Sequence, residues 1–399
     1  MSIIRAATED EARDVIAAAA ADGRYLAVLS SGTKADFGRP FEATDVLELS
    51  AISGIASYEP EELVLIVRPG TLLSEIDAVL GQRGQTLAFE PPNLTGFHGV
   101  EGEPSIGGIV ATGLSGPRRV KAGAVRDHVL GIRAINGRGE ILRTGSRVMK
   151  NVTGYDLPKL LTGSHGTLAA FTEITLKLMP RPEDEATLVV QGLTDSEGMR
   201  LLREAAALPL DLSGLAHVPA TASMLTREFA GISGGSATIL RVEGTRASVA
   251  ERVEALRMHY RDRDSFLVDR LSSRALWIAV RDLSFFVTAS GPVWRIALPP
   301  SDADAVASEI GARAWMADWG GGLLYCLMND TPTAEAALVR AAVRRCGGHA
   351  TLMRAAPEVR AQTDVFEPMS PVQAQLTQRL KEAFDPAGVL NRGRMYKGI

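Results

Sequence analysis

Cysteine is nearly absent: Cys326 and Cys346 are the two in 399 residues. So few thiols exclude a disulfide scaffold and fit a reducing compartment. They also exclude an iron–sulfur cluster held by this chain alone, since such clusters take about four ligands. Long apolar runs are missing as well. No stretch of about 18 apolar residues occurs, so no helix is expected to cross a bilayer. The opening MSIIRAATEDEARDVIAAAA carries acids early and reads as an amphipathic helix, not as a signal peptide. Excess charge is lacking too. Against 47 acidic residues stand 43 basic ones, a net −4, which makes no general case for nucleic acid or an anionic membrane. The cytoplasm is the expected home, with at most peripheral contact to the inner face of the cell membrane through a partner.

Several catalytic signatures are absent. The histidines, His98, His128, His165, His217, His259 and His349, form no HExxH or other close pair, so no metal is expected. There is no GxxxxGK[ST] loop and no GxGxxG with a following acid, which argues against a Walker NTPase and a Rossmann NAD site. No GxSxG or Cys–His nucleophile pattern appears.

What is present is glycine in particular places. The apolar run YLAVLS (25–30) enters SGTKADFGRP. Its backbone N–H groups and Lys34 read either as a simple turn or as a phosphate cradle. DVLELS (45–50) and ELVLIVRPG (62–70) read as strands, and Thr71 as the cap of the helix LLSEIDAVLGQRG. SIGGIVATGLSG (105–116) places Gly107, Gly108, Gly113 and Gly116 among small residues. Glycine costs up to about 1 kcal/mol inside a helix. Close approach of a ligand or tight core packing must therefore compensate. Residues 125–145 read as a hairpin around Asn-Gly-Arg-Gly. From Arg118 to Lys150 a basic run includes Arg119, Lys121, Arg126, Arg133, Arg138, Arg143 and Arg147. It suits a pyrophosphate, an acidic partner or merely solvated strand faces. Then GSHGT (163–167) makes a glycine turn directly before LAAFTEITLKL, an alternating strand stopped by Pro180 and Pro182. A turn without β-carbons lets something approach the backbone closely.

Residues 183–355 have another rhythm: strand, helix, strand, strand, helix, strand, read twice, with SFLVDR the candidate for a missing fourth strand. That order suggests two ferredoxin-like units. The helix SPVQAQLTQRLKEAF and the segment DPAGVLNRGRMYKGI follow.

Together these stretches resemble the FAD-binding domain of the vanillyl-alcohol oxidase and p-cresol methylhydroxylase (PCMH) type. SSGTK resembles that family's pyrophosphate loop, and PSIGGIVATGLSGPRRVKAGAVRDHVLG its central flavin-binding run. GYDLPKLLTGSHGTL resembles the segment passing the adenosine end, and FDPAGVLNRGRM the return to the flavin. More narrowly, GPRRVKAGAVRDHVLG, VMKNVTGYD and the ending resemble the FAD-binding subunits of bacterial glycolate oxidase.

The resemblance implies an α+β fold: a two-subdomain PCMH-type FAD-binding domain (1–182), a ferredoxin-like α+β cap domain (183–369) and a C-terminal segment (370–399) returning to the FAD domain. It implies that Ser31, Gly32, Thr33 and Lys34 hold the pyrophosphate. Ser105, Gly107, Gly108, Thr112, Gly113, Gly116 and Gly123 would line the flavin, Gly166 and Ala170 the adenosine side, and Asn391 and Arg394 would return towards the isoalloxazine. Three positions depart from the family: Ser31 stands where many relatives have glycine, His165 where many have glutamate, and Arg392 replaces the proline of Asn-Pro-Gly. Relatives with covalent flavin carry a histidine in the first loop; SSGTK has none, so non-covalent FAD is expected.

The implied partners are a catalytic flavin subunit that oxidises glycolate and an iron–sulfur subunit that passes electrons on. This chain lacks the paired histidines with which related 2-hydroxyacid dehydrogenases bind metal and substrate. No catalytic residue is assigned, and its flavin would serve as an electron relay or a structural element. Two alternatives stay open. One is a self-sufficient FAD-dependent hydroxyacid dehydrogenase, with Trp277, Arg281, Trp294 and Arg295 holding a carboxylate. The other is a non-catalytic assembly subunit.

Overall fold

A computed structural model describes residues 2–145, 155–229, 231–232 and 235–399. VMKNVTG, with Lys150, and Arg147 of the basic run lie outside the described residues. The chain divides into two compact units. Unit 1 comprises Met1–Ser115, Ala124–Arg181 and Pro368–Ile399; unit 2 comprises Gly116–Gly123 and Pro182–Glu367.

Unit 1 starts with a strand, where the sequence suggests the beginning of a helix. β1 (Ser2–Arg5), β2 (Leu26–Leu29) and β3 (Asp45–Glu48) form a parallel sheet in the order β1-β3-β2. The helix begins only at Glu9, where the Thr8 hydroxyl accepts from Glu11 N at 3.2 Å, and it closes on Gly23 at φ 67°. Ala12, Ile16 and Ala19 are its buried stripe, and acids in its first turn complement the helix dipole.

Next come β4 (Ile55–Glu59), β5 (Val64–Val67), β6 (Gln85–Thr86), β7 (Val129–Asn136), β8 (Ile141–Gly145), β9 (Ala169–Lys177) and β10 (Met179–Pro180). Five of them make an antiparallel sheet, β4-β5-β9-β7-β8, and β6 pairs with β10. The β7–β8 hairpin turns where Asn136 Oδ1 accepts from Arg138 N and Glu140 N, at 2.9 and 3.0 Å. Two expectations need correction. Thr71 does not cap the following helix, whose N-cap is Leu72; its hydroxyl donates to Arg68 O at 2.8 Å and accepts from Gly54 N at 2.8 Å. The alternating pattern of β9 implies one wet face, yet nearly the whole strand is buried. β9 lies centrally, and Thr172 meets its polar requirement by donating to the Glu9 carboxylate at 2.6 Å.

Unit 2 is built on β11 (Asp184–Gln191), β12 (Gly214–Val218), β13 (Ala237–Gly244), β14 (Ser265–Val268), β15 (Val293–Ala297), β16 (Ala314–Asp318), β17 (Leu323–Leu327) and β18 (His349–Arg354). They form one antiparallel sheet in the order β14-β11-β13-β12-β16-β17-β15-β18. Read from each outer edge inward, both halves run fourth, first, third, second, the ferredoxin-like order. SFLV supplies the missing fourth strand. The halves meet at β12 and β16, where His217 opposes Ala317. Helices Asp195–Ala206, Arg246–His259, Ala303–Glu309 and Ala336–Arg345 follow their strands, and their apolar stripes share a core with Trp294, Trp315 and Leu324.

Candidate functional site

In unit 1, β2 feeds the loop Ser30–Ala35, and this loop, the glycine helix (Ile106–Thr112) and the start of β9 surround a cavity. Of the residues expected at a cofactor, Ser31, Gly32, Thr33, Lys34, Ser105 and Gly107 line it, as do Gly108, Thr112, Gly166, Ala170 and Arg394. Gly113, Gly116, Gly123 and Asn391 are not brought into that lining. Gly116 and Gly123 fall within unit 2.

The two helix glycines serve different ends. A β-carbon on Gly107 would come within 2.6 Å of Pro69, so this residue is glycine for packing. One on Gly108 would meet only ordinary contacts, Ser105 Oγ at 3.7 Å and the Lys34 stem at 3.8 Å. The packing reading therefore holds at Gly107, whereas at Gly108 no neighbouring protein group demands glycine. Thr112 turns its hydroxyl onto Gly108 O at 2.7 Å. The helix closes on Gly113 at φ 68°, where the approaching group is Gly163. The turn before β9 wraps this helix end: Gly163 N donates to Val110 O at 3.0 Å and His165 N to Ala111 O at 2.7 Å. What comes close to the glycine turn is thus protein backbone and, at Gly166, the Asn391 amide, 2.7 Å from where a β-carbon would stand.

Asn391 is fully buried at φ 43°, a left-handed backbone that asparagine tolerates. Its Oδ1 accepts from Val28 N at 2.8 Å and its Nδ2 donates to His165 O at 2.8 Å. It ties two cavity walls together from behind. Ser31 makes a similar tie: its hydroxyl accepts from Ser105 N at 3.2 Å, joining the first loop to the glycine helix. His165, at φ 53°, packs edge-on to Phe37 with ring centroids 5.0 Å apart. Burial, then the nearby Arg394 charge, pushes its imidazole down to about 3, so it is neutral.

Lys34 is the electrostatic feature of the cavity. It is 6% exposed, and its ammonium has no hydrogen-bond or ion-pair partner among the described residues. Burial alone lowers it to about 8. Arg394 buttresses the loop, donating to Lys34 O at 2.7 Å and Phe37 O at 3.3 Å. A buried, uncompensated cation beside open glycine backbone is a receptor for an anionic group.

A second buried lysine escaped the sequence reading. Lys381, on the helix Pro371–Phe384, donates to Thr167 O, Asp385 Oδ2 and Leu390 O at 2.7, 2.7 and 2.9 Å. Asp385 in turn accepts from Val389 N and Leu390 N at 2.9 and 2.8 Å. The only hint was a Lys and an Asp four apart at a helix end. Three described members of the basic run, by contrast, are held in close ion pairs. In unit 1 Arg133 meets Glu9 at 2.5 Å; in unit 2 Arg118 meets Glu243 at 3.0 Å and Lys121 meets Asp211 at 2.5 Å. Of the four residues considered for a carboxylate, Trp277 and Trp294 are core, bonded to Thr187 and Ala334 O, and Arg281 pairs with Asp282.

Residues 2–145 match the FAD binding domain family. The whole fold resembles the crystal structure of p-cresol methylhydroxylase with substrate bound: TM-score 0.71 at 14% identity, covering 99% of this chain and 88% of that one. The fold is thus that of the PCMH-type FAD-binding proteins. The glycolate oxidase subunit GlcE of Escherichia coli K12 is 36% identical over 379 residues, 95% of this chain and 94% of that protein. The chain belongs to the GlcE family. It also shares 34% identity over 150 residues, 38% of this chain and 30% of that protein, with the glycolate oxidase subunit GlcD of Bacillus subtilis.

Proposed function

We propose that this chain is the FAD-binding subunit of a bacterial glycolate oxidase, holding FAD non-covalently in the unit 1 cavity. The observation that carries this reading is Lys34, a buried cation without a counter-ion among the described residues, in a glycine-lined cavity. The donor set fits FAD: Lys34 and the N–H groups of Ser31–Lys34 would take the pyrophosphate, and Gly108 leaves room for it. Ser105, Gly107, Thr112, Gly166, Ala170 and Arg394 would complete the lining, with Asn391 acting from behind. In this reading residues 1–182 and 370–399 form the FAD domain and 183–369 the cap. When bound, FAD supplies hydride and single-electron chemistry. The chain's own residues bind it, exclude water and keep a neutral imidazole at His165 beside it.

The partners in this reading are a catalytic flavin subunit, of which GlcD is the model, and an iron–sulfur subunit. The chain would work in the cytoplasm, reaching the membrane's inner face only through that complex. No helix among the described residues is long and apolar enough to cross a membrane. The test is the visible spectrum of the chain purified alone, followed by acid release and quantitation of flavin. About one FAD per chain is expected. No flavin, even after incubation with excess FAD, overturns the cofactor reading; glycolate turnover with and without the partners then separates relay from catalyst.

A further inference from the structure

Three consecutive backbone N–H groups, those of Gly32, Thr33 and Lys34, meet no acceptor among the described residues. Gly32 sits at φ 74°, and successive N–H groups in such a turn make a nest for an anion. The same loop supplies the Lys34 side chain, and all three residues line the cavity. Beside the Lys34 ammonium is Gly108, where a β-carbon would stand 4.0 Å from Nζ. Ser105 Oγ borders the same spot at 3.7 Å. Among the described residues no carboxylate lines the cavity, and its other titratable side chains are His165 and Arg394. His165 is neutral, pushed down to about 3, and Arg394 donates to Lys34 O.

A lysine in this setting has two chemistries. As an ammonium it takes an anion, the role given to it above. As a free amine it is a nucleophile, and burial is what turns lysines to Schiff-base chemistry. Lys34 is lowered to about 8, so near pH 8 about half of it is free amine, whereas an exposed lysine is free to well under about 1%. Lys381 is buried as deeply, but it directs its hydrogens to Thr167 O, Asp385 Oδ2 and Leu390 O. Those bonds hold it as an ammonium with no lone pair to offer.

We propose that Lys34 is a site of reversible imine formation with small aldehydes that carry an anionic group. The free Nζ attacks the carbonyl carbon. A C=N bond replaces the C=O bond, and the carbonyl oxygen leaves as water with both amine hydrogens. Nothing is oxidised or reduced. Protonation of the imine returns a positive charge to the buried nitrogen. The ligand's own anion, seated on the N–H groups of Gly32, Thr33 and Lys34, is then its counter-ion. A neutral aldehyde brings no such partner. The adduct fills the place assigned to FAD, so the two exclude each other. That exclusion rests on the functional reading above, as does the choice of glyoxylate, the aldehyde acid that two-electron oxidation of glycolate yields. The imine itself rests on the cavity.

The full chain, freed of flavin and held near pH 8, is treated with pyridoxal phosphate and reduced with borohydride. A parallel sample takes glyoxylate and cyanoborohydride. Peptide mass spectrometry then reads each lysine. Lys34 should be labelled about tenfold or more ahead of the exposed Lys159 and Lys397, and Lys381 not at all. With propanal, a small neutral aldehyde, the preference for Lys34 should fall about threefold or more. Equal labelling of Lys34 and the exposed lysines, or an undiminished preference with propanal, overturns the site. Selectivity with only one of the two anionic aldehydes upholds it and tells whether phosphate or carboxylate is the anion. Excess FAD should suppress the label at Lys34 and leave Lys159 unchanged. Labelling indifferent to bound FAD upholds the imine and sinks the placement of flavin in this cavity. A chain that binds FAD but shows no selective label at Lys34 sinks only the imine.

Discussion

The loop after β2 and the helix Pro371–Phe384 each bury a lysine, and the fold treats the two oppositely. Lys381 is 4% exposed and meets three oxygen acceptors, one of them a carboxylate. Lys34 is 6% exposed and meets none among the described residues. Burial lowers both ammonium groups, but at Lys381 the Asp385 carboxylate works against that shift. A buried charge that is fully bonded specifies a structure; one left bare asks for a ligand.

Breaking the bonded member should have the largest effect. Lys381→Met strands Asp385 and two backbone carbonyls, so urea unfolding should register a loss of about 3–5 kcal/mol. Asn391→Ala cuts the neighbouring tie and leaves Val28 N and His165 O unpaired; about 2 kcal/mol is expected in the same assay. Lys34→Met should do the reverse of Lys381→Met. Flavin-free protein should be as stable as before or more so, while FAD affinity falls about tenfold or more by fluorescence titration. A Lys34→Met protein that unfolds as easily as Lys381→Met would erase the distinction.

The smallest effect is in protons. Lys34 sits at about 8, below its ordinary 10.5. Between these values the unfolded chain holds a proton that the empty folded chain lacks, so the Lys34 contribution to folding improves as pH rises through that window. An anion beside the ammonium favours its charged form. Binding FAD near pH 9 should therefore take up a fraction of a proton, and near pH 6 none. Calorimetry in buffers of different ionisation enthalpy measures it; release instead of uptake would contradict the assignment of Lys34 to the anion.

The contrast also explains what could be read in advance. SSGTK follows a strand and brings its lysine into view, and the repeated strand–helix order of unit 2 survives down to SFLV because each element carries its own periodicity. β9 misled for the same reason: its pattern is local, but its second face is covered by a helix far away in sequence. Lys381, Asp385 and Asn391 were illegible as a network because their partners are not neighbours. Nothing near residue 391 announces a bond to Val28.

The tie between Asn391 and Val28 spans 363 residues, and Leu390 continues the same contact by pairing in parallel with Leu26. On the ribosome, β2 and its loop emerge early and wait. Their last hydrogen-bond partners arrive only after all of unit 2 has been made. The cavity walls therefore gain these two ties only once residues 390 and 391 have been made. Contacts of such long range are also slow to form, so a nascent or interrupted chain would present an open glycine loop with its lysine still in water.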